Sequence, residues 1–304
     1  MKIAFFTEMG FTGRVPRNHE NMRTEFAWMV ALEADHYNIQ TVPNQDYDLG
    51  IVIIPKKNPT FDLNSFRSRC KKVAVMQEGP HWYFQDYTMQ EQVSYYNTLR
   101  SADTIFVHNY SDIQYFKGLT EHNDVRQLKS LMIEDAIGEV KDVEREGVII
   151  GGNFTNWYGG FDSFIVAKEY SDTVYAPSMG RKIAGEEGLV THLPYMSWKD
   201  WIHKLNEFKV GVHLMRTHAA GTFALNCARL GIPCIGYKGL DTQEVLHPQL
   251  TVRRFGQMLE AKELIRKLRE DEDFYKECSE KAIENYNKFY TEEVFKNNWS
   301  KLIL

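Results

Sequence analysis

Between Val210 and Tyr237 the chain reads VGVHLMRTHAAGTFALNCARLGIPCIGY, an order of residue types that permits few folds. An apolar strand ends near Met215. The turn Thr217–Gly221, with Ala220 inside it, opens a helix at Thr222; Gly231 stops that helix and Pro233 starts a second strand. Strand, helix and strand in one short run form the repeating unit of an α/β sheet with parallel strands. The free backbone amides at the helix start, with the positive end of the helix dipole, would face an anion such as a phosphate group.

The same alternation runs through the rest of the chain. Lys2–Thr7 reads as a buried strand, followed by a glycine-containing loop and a helical pattern from about Glu20 to Ala34. NIQTV, LGIVIIP, KKVAVMQ and DTIFVHN continue the strand theme to about residue 120. Met132–Glu146 turns acidic and polar, as a linker does. A second series follows: GVIIGGN, a helix near Ser163–Tyr170, DTVYAPS, LVTHLPY, a helix near Trp198–Glu207, the opening run, and LTVRRF. From about Ala261 the periodicity is helical. A chain of 304 residues exceeds one typical core. The expected fold is therefore α/β, with two doubly wound domains facing a cleft: residues 1–144, residues 145–285, and a terminal helix, 286–304, packing back on the first domain. In such sheets ligands sit outside the carboxyl ends of the strands, so the search for function narrows to those loops.

Composition removes several classes. No apolar run approaches the roughly 20 residues of a membrane span, and MKIAFFTEMG turns polar too early for a signal peptide, so the expected location is the cytoplasm, without membrane insertion. Cys70, Cys227, Cys234 and Cys278 lack paired metal spacing and read as reduced, buried thiols. A net charge of −5 argues against a generally basic surface but leaves a local patch, Lys56, Lys57, Arg67, Arg69, Lys71 and Lys72 against Asp62. That patch reads either as a solvated face or as a binding surface. Asp46-Tyr47-Asp48 precedes a strand, at the edge of the sheet away from ligands, and reads as a turn; no obligatory metal or other cofactor is expected.

The segments VIIGGNFTNWYGGFDSFIVAKE and HLPYMSWKDWIHKLNEFKVGVHLMRTHAAGTFALNCARLGIPCIGY resemble the donor half of GT-B glycosyltransferases, above all the large retaining group that uses nucleotide sugars. The resemblance implies two Rossmann-like domains, residues 1–144 on the acceptor side and 145–285 holding a UDP-sugar donor. Tyr195 and Met196 would then meet the nucleotide base, the amides of Gly221 and Thr222 the diphosphate, and Asn226 the ribose. Gly13 and Arg14, in the loop GFTGR after the first strand, stand where these enzymes place a flexible loop against donor phosphate; a plain glycine turn is the alternative. Asn153 and Thr155 follow a strand and line the donor site or form a simple turn.

Departures from that group are as informative as the match. Its two glutamates, eight positions apart, are here His218 and Asn226, and its arginine and lysine near the start of the second domain fall at about Asn153 and Tyr158. Histidine cannot replace a carboxylate as a two-oxygen acceptor. Other cations must meet the diphosphate, and Arg181, Lys182 and Arg216 are the candidates; retention of anomeric configuration is left open.

On the acceptor side the loop QEGPHWYFQDY offers Glu78 as general base or orienting carboxylate, with Asp86 second. His81 reads as a contact to donor or as a packed loop histidine, and Trp82 and Tyr83 as stacking surfaces for the acceptor or as packing. With Lys56, Lys57, Arg67 and Arg69 nearby, phosphate neutralisation beside a stacking surface favours double-stranded DNA, its target base extruded. The chain looks like bacteriophage enzymes that glycosylate hydroxymethylcytosine in DNA. Alternatives stay open: a bacterial surface-polysaccharide glycosyltransferase, a nucleotide-sugar epimerase, or a non-catalytic nucleotide-sugar binder.

Overall fold

The computed structural model describes residues 1–55, 61–77, 83–121, 124–152, 154, 157–178 and 184–302, with Tyr83 described by its backbone alone. The first half contains β1 (Ile3–Thr7), α1 (Thr24–Ala31), β2 (Asp35–Asn38), β3 (Tyr47–Ile54), α2 (Asn64–Arg67), β4 (Cys70–Gln77), α3 (Met89–Ser101), β5 (Thr104–Val107), α4 (Tyr110–Thr120) and β6 (Val125–Gln127). A short α5 (Glu134–Ile137) leads to β7 (Val148–Ile150), α6 (Gly160–Ala167), β8 (Val174–Pro177), β9 (Thr191–Leu193), α7 (Trp198–Leu205) and β10 (Val210–His213). Then come α8 (Thr222–Leu230), β11 (Cys234–Tyr237), α9 (Asp241–Leu246), β12 (Thr251–Val252), α10 (Met258–Glu270), α11 (Glu272–Phe289) and α12 (Glu292–Leu302).

These strands build two parallel six-stranded sheets, ordered β2-β1-β3-β4-β5-β6 and β12-β11-β10-β7-β8-β9. Helices cover both faces, so the central strands are buried throughout instead of alternating: all five residues of β1 and all four of β10 are buried. Two Rossmann-like domains in this arrangement make a GT-B fold. Each order reverses direction once, at β1/β3 in the first sheet and at β7/β10 in the second. Chain connections leave in opposite directions at such a point and open a crevice beyond the strand ends, which is where ligands bind.

The last helix crosses back to the first sheet. Phe295 and Trp299 of α12 are buried, with the Trp299 ring 5.8 Å from that of Phe106 on β5. Arg17 adds a bidentate pair to Glu292, at 3.0 and 2.8 Å. A second tie joins α5 to α8 and α11: Arg229 Nε donates to both oxygens of Glu134 at 2.7 Å, and the Tyr286 hydroxyl donates to Glu134 at 2.6 Å.

Three expectations change. NIQTV is not a strand; β2 lies just before it, where Asp35–Asn38 pairs with Ala4–Thr7. The helix expected from Glu20 begins only at Thr24, with Arg23 extended at φ −81°, ψ 179°, and just before it the Glu20 carbonyl and the Asn21 side chain accept hydrogen bonds from α7. The polar Met132–Glu146 segment is more than a linker, since Met132, Ile133, Ala136 and Ile137 are buried between the halves.

Candidate functional site

A cavity of about 440 Å³ opens at the second switch point and is lined from both domains. The first domain supplies Met22–Glu25 ahead of and within α1, His108 after β5, and Leu131; the second supplies Gly151 after β7, His213 at the end of β10, Pro194–Met196 after β9, and Ala219–Phe223 with Asn226 from the glycine turn and α8.

The turn is shaped by one residue. Gly221 caps α8 at φ +64°, ψ 31°, the left-handed region, and a Cβ there would lie 2.0 Å from Thr242 Oγ1. Glycine therefore lets the turn press against α9 and leaves the first amides of α8 facing the cavity without intrahelical partners. Gly231, at φ +68°, ends the helix as the sequence implies.

The same turn is pinned to the first domain. Ser130 Oγ donates to the Ala220 carbonyl at 2.9 Å, and Asn109 Nδ2 donates to that of Ala219 at 3.1 Å. His218 Nδ1 lies 2.5 Å from Asp112 Oδ1, and this carboxylate raises the imidazole pKa above its ordinary value. Asp241 completes the latch: its amide donates to Asn109 Oδ1 at 3.0 Å, and its carboxylate accepts from the Tyr110 amide at 2.9 Å.

A second latch closes the other mouth. The Lys199 amide donates to the Glu20 carbonyl at 2.9 Å and the Trp198 amide to Asn21 Oδ1 at 3.1 Å, so the β1–α1 loop rides on the start of α7. That docking puts the Arg23 guanidinium 6.0 Å above the Tyr195 ring, across the cleft. Among the described residues, Arg23 is the lysine or arginine lining the cavity. The sequence reading missed it because it lies inside what looked like a helix.

The interior holds two histidines and an asparagine. Burial pushes His213 and His108 down to about 4, so both are neutral near pH 7. His108 stacks on Trp28, with ring centroids 5.6 Å apart and planes at 24°. Asn226, on the first turns of α8, is 4% exposed and directed to the cavity wall, where its amide group can bond hydroxyl groups.

The expected site residues divide sharply. Tyr195, Met196, Ala220, Gly221, Thr222 and Asn226 are together in the cavity wall. Arg216 and His218 adjoin the same turn but are not in the cavity wall: Arg216 pairs with Asp162 at 2.8 Å and lies over Phe255, and His218 belongs to the Asp112 latch. Gly13 exchanges backbone hydrogen bonds with His36, both 2.9 Å, at the edge of the first sheet, and Arg14 pairs with Asp35 at 3.1 Å. Neither is in the cavity wall. Arg67 and Arg69 precede β4 and so stand at the amino edge of the sheet, about 25 Å along the strand from the carboxyl edge. There Arg67 pairs with Asp103 at 2.8 Å and Arg69 with Asp46 at 3.2 Å, which also makes Asp46 and Asp48 structural partners of Arg69 and Lys71. Asp86 is itself exposed, at the end of a 3-10 turn outside the cavity wall. Glu78, His81, Trp82, Lys56, Lys57, Asn153, Thr155, Arg181, Lys182 and the Tyr83 side chain lie outside the described residues.

No group of three or more His, Cys, Asp or Glu side chains is placed to hold a metal among the described residues, and no described helix is long and apolar enough to cross a membrane.

No family model and no curated protein matches the sequence. Solved structures do match in fold. HepE of Anabaena, solved with UDP-glucose, is 12% identical with a TM-score of 0.68, covering 100% of this chain and 99% of its own. An alpha-glucosyltransferase solved with UDP and a 13-mer DNA containing an HMU base is 14% identical, with a TM-score of 0.62 and the same coverage of 100% and 99%. TarM of S. aureus, solved with UDP, fondaparinux and alpha-GlcNAc-glycerol, is 11% identical with a TM-score of 0.65, matching 84% of this chain; the match spans 55% of TarM's own length. The likeness of these structures to this chain lies in the GT-B fold.

Proposed function

We propose that the protein is a glycosyltransferase that moves a sugar from a UDP-sugar to a hydroxyl acceptor, with residues 1–144 serving the acceptor and 145–285 the donor. The observation that carries this reading is the cavity at the β7/β10 switch point, where the free amides of α8, Asn226 and the Tyr195–Met196 loop line one space of nucleotide size. In it the α8 start takes the diphosphate, Tyr195 and Met196 the base, and Asn226 the ribose. Arg23 joins Arg181 and Lys182 as a source of positive charge, in place of Arg216. Glu78 remains the proposed base, with Asp86 second. Neighbours solved with UDP or UDP-glucose along the whole chain support the donor class.

The proposed acceptor is the hydroxymethyl group of a modified cytosine in DNA. Support comes from the neighbour solved with HMU-containing DNA, which matches over both full lengths. The second reading is a saccharide acceptor, favoured by the seating of Arg67 and Arg69 away from the cleft, which takes two charges out of the proposed DNA surface.

A UDP-release assay with a panel of UDP-sugars, run with plain DNA, hydroxymethylcytosine DNA or free oligosaccharides, decides among these. Release that requires modified DNA supports the first acceptor, and release with oligosaccharide alone supports the second. A sugar altered without any acceptor points to an epimerase. Stabilisation by UDP without release points to a non-catalytic binder, and no UDP binding at all rejects the donor reading.

A further inference from the structure

His213 is a polar residue in a place built for an apolar one. It ends β10 at the switch point, is 6% exposed, and lines the cavity, yet its Nε2 has no hydrogen-bond partner among the described residues. Burying such a group without a partner costs roughly 1–3 kcal/mol, a cost that valine or leucine in the same strand would avoid. The surrounding structure nevertheless makes room for it. Phe223 meets the imidazole edge-on at 5.4 Å, and Gly151 leaves the space: a Cβ there would come within 2.5 Å of His213 Cγ and 2.7 Å of Phe223 Cδ1.

Two features define what the imidazole can bind. Burial holds it neutral, with its pKa down at about 4, so it cannot serve as the counter-charge of a phosphate but offers one donor and one acceptor. Its position is the second. The loop that carries Tyr195 and Met196 leaves β9, three strands from β10 in the sheet, which is about 14 Å. With the base at that end and the diphosphate at the start of α8, His213, whose ring meets Phe223 of that helix, lies beside the diphosphate end of the cavity, from which the sugar extends.

We propose that His213 is a specificity-determining residue that hydrogen-bonds a hydroxyl of the transferred sugar. The assignment rests on the UDP-sugar reading above. His108, also neutral, lines the same cavity from the first domain.

The test compares wild type, His213→Phe and His213→Asn by calorimetric titration with UDP and with UDP-glucose, UDP-galactose and UDP-N-acetylglucosamine. Phenylalanine keeps the ring packing and removes the hydrogen bonds. The expected result is a UDP affinity within twofold of wild type in H213F, while affinity for the best-bound UDP-sugar falls about 3- to 10-fold, the worth of one hydrogen bond. H213N should recover part of the loss. Equal affinity of wild type and H213F for that UDP-sugar overturns the assignment, as does an equal loss for UDP and UDP-sugar. If wild type binds UDP but no UDP-sugar of the panel more tightly than H213F does, the assignment also fails while the nucleotide reading stands. Absence of UDP binding in wild type rejects the donor reading and this inference together.

Discussion

Replacing Gly221 by alanine tests whether the turn before α8 is held in place by contact with α9. The residue adopts φ +64°, where an L side chain costs about 1–2 kcal/mol. Its new Cβ would meet Thr242 Oγ1 at 2.0 Å, Cβ at 3.2 Å and Cγ2 at 3.5 Å, on a side chain that is 3% exposed. Relieving that overlap adds about 1–3 kcal/mol of overpacking, so Gly221→Ala should cost about 2–5 kcal/mol in all. Thr242→Ala removes the two outer atoms, and the lost hydroxyl makes no hydrogen bond among the described residues, so alone it should be mild. In the double variant the overlap term mostly disappears and the left-handed strain remains, giving a coupling energy of about 1–2 kcal/mol. Urea denaturation measures the stabilities, and titration with UDP reads the same displacement at the helix start. Gly221→Ala should weaken UDP binding, with partial recovery in the double variant. A loss below about 0.5 kcal/mol for Gly221→Ala, or strict additivity in the cycle, refutes the argument that this contact sets the turn.

Other perturbations address the latches and the core. Because Asp112 raises the His218 pKa, the pair's contribution is fully present below the unfolded value of 6.5 and is lost as pH rises through the folded value. Thermal melts of His218→Gln should therefore differ most from wild type at pH 6 and converge with it at higher pH; a constant difference across pH removes the ionic role. His36, His213 and His247 have the opposite sign: each is buried with its pKa lowered to about 4, so the unfolded chain binds protons first and stability falls as pH drops from 6.5 toward 4. His213→Phe should flatten that decline, read by circular dichroism at graded pH, and an unchanged slope counts against a neutral buried imidazole. Trp299→Ala should cost about 3–5 kcal/mol by emptying the contact with Phe106, and a urea midpoint near wild type would mean that α12 contributes little.

The local part of the fold was legible in residue order. A run of apolar residues, a glycine able to take a positive φ, and a helix ending at Gly231 are instructions carried by neighbours in the chain, and α8 begins and ends where they imply. The alternation of such runs was enough to imply parallel doubly wound sheets, because helices on both faces demand strands that are apolar on both sides. The failures were also local in kind. Asn38–Val42 has strand-forming residues, but pairing with β1 selected Asp35–Asn38 instead.

Which side chains reach the cleft depended on contacts distant in sequence. Arg67 and Arg69 are near in sequence to the loop expected to face the cleft, yet β4 runs its full length between them and the carboxyl edge of the sheet, which puts them on the opposite edge. Arg216 and His218 flank the glycine turn, but Asp162 and Asp112 already take their charges. Arg23 enters the cavity wall because Glu20 and Asn21 dock on α7, far along the chain. His213 was in plain view within a strand, and only the cavity beside it and the glycine at position 151 make it more than a break in an apolar run. Sequence alone determined the elements and their order, because backbone preference and hydrophobic period act over a few residues. Tertiary structure decided the chemistry of the cleft, because strand direction and pairing between distant charges determine which groups remain to face a ligand.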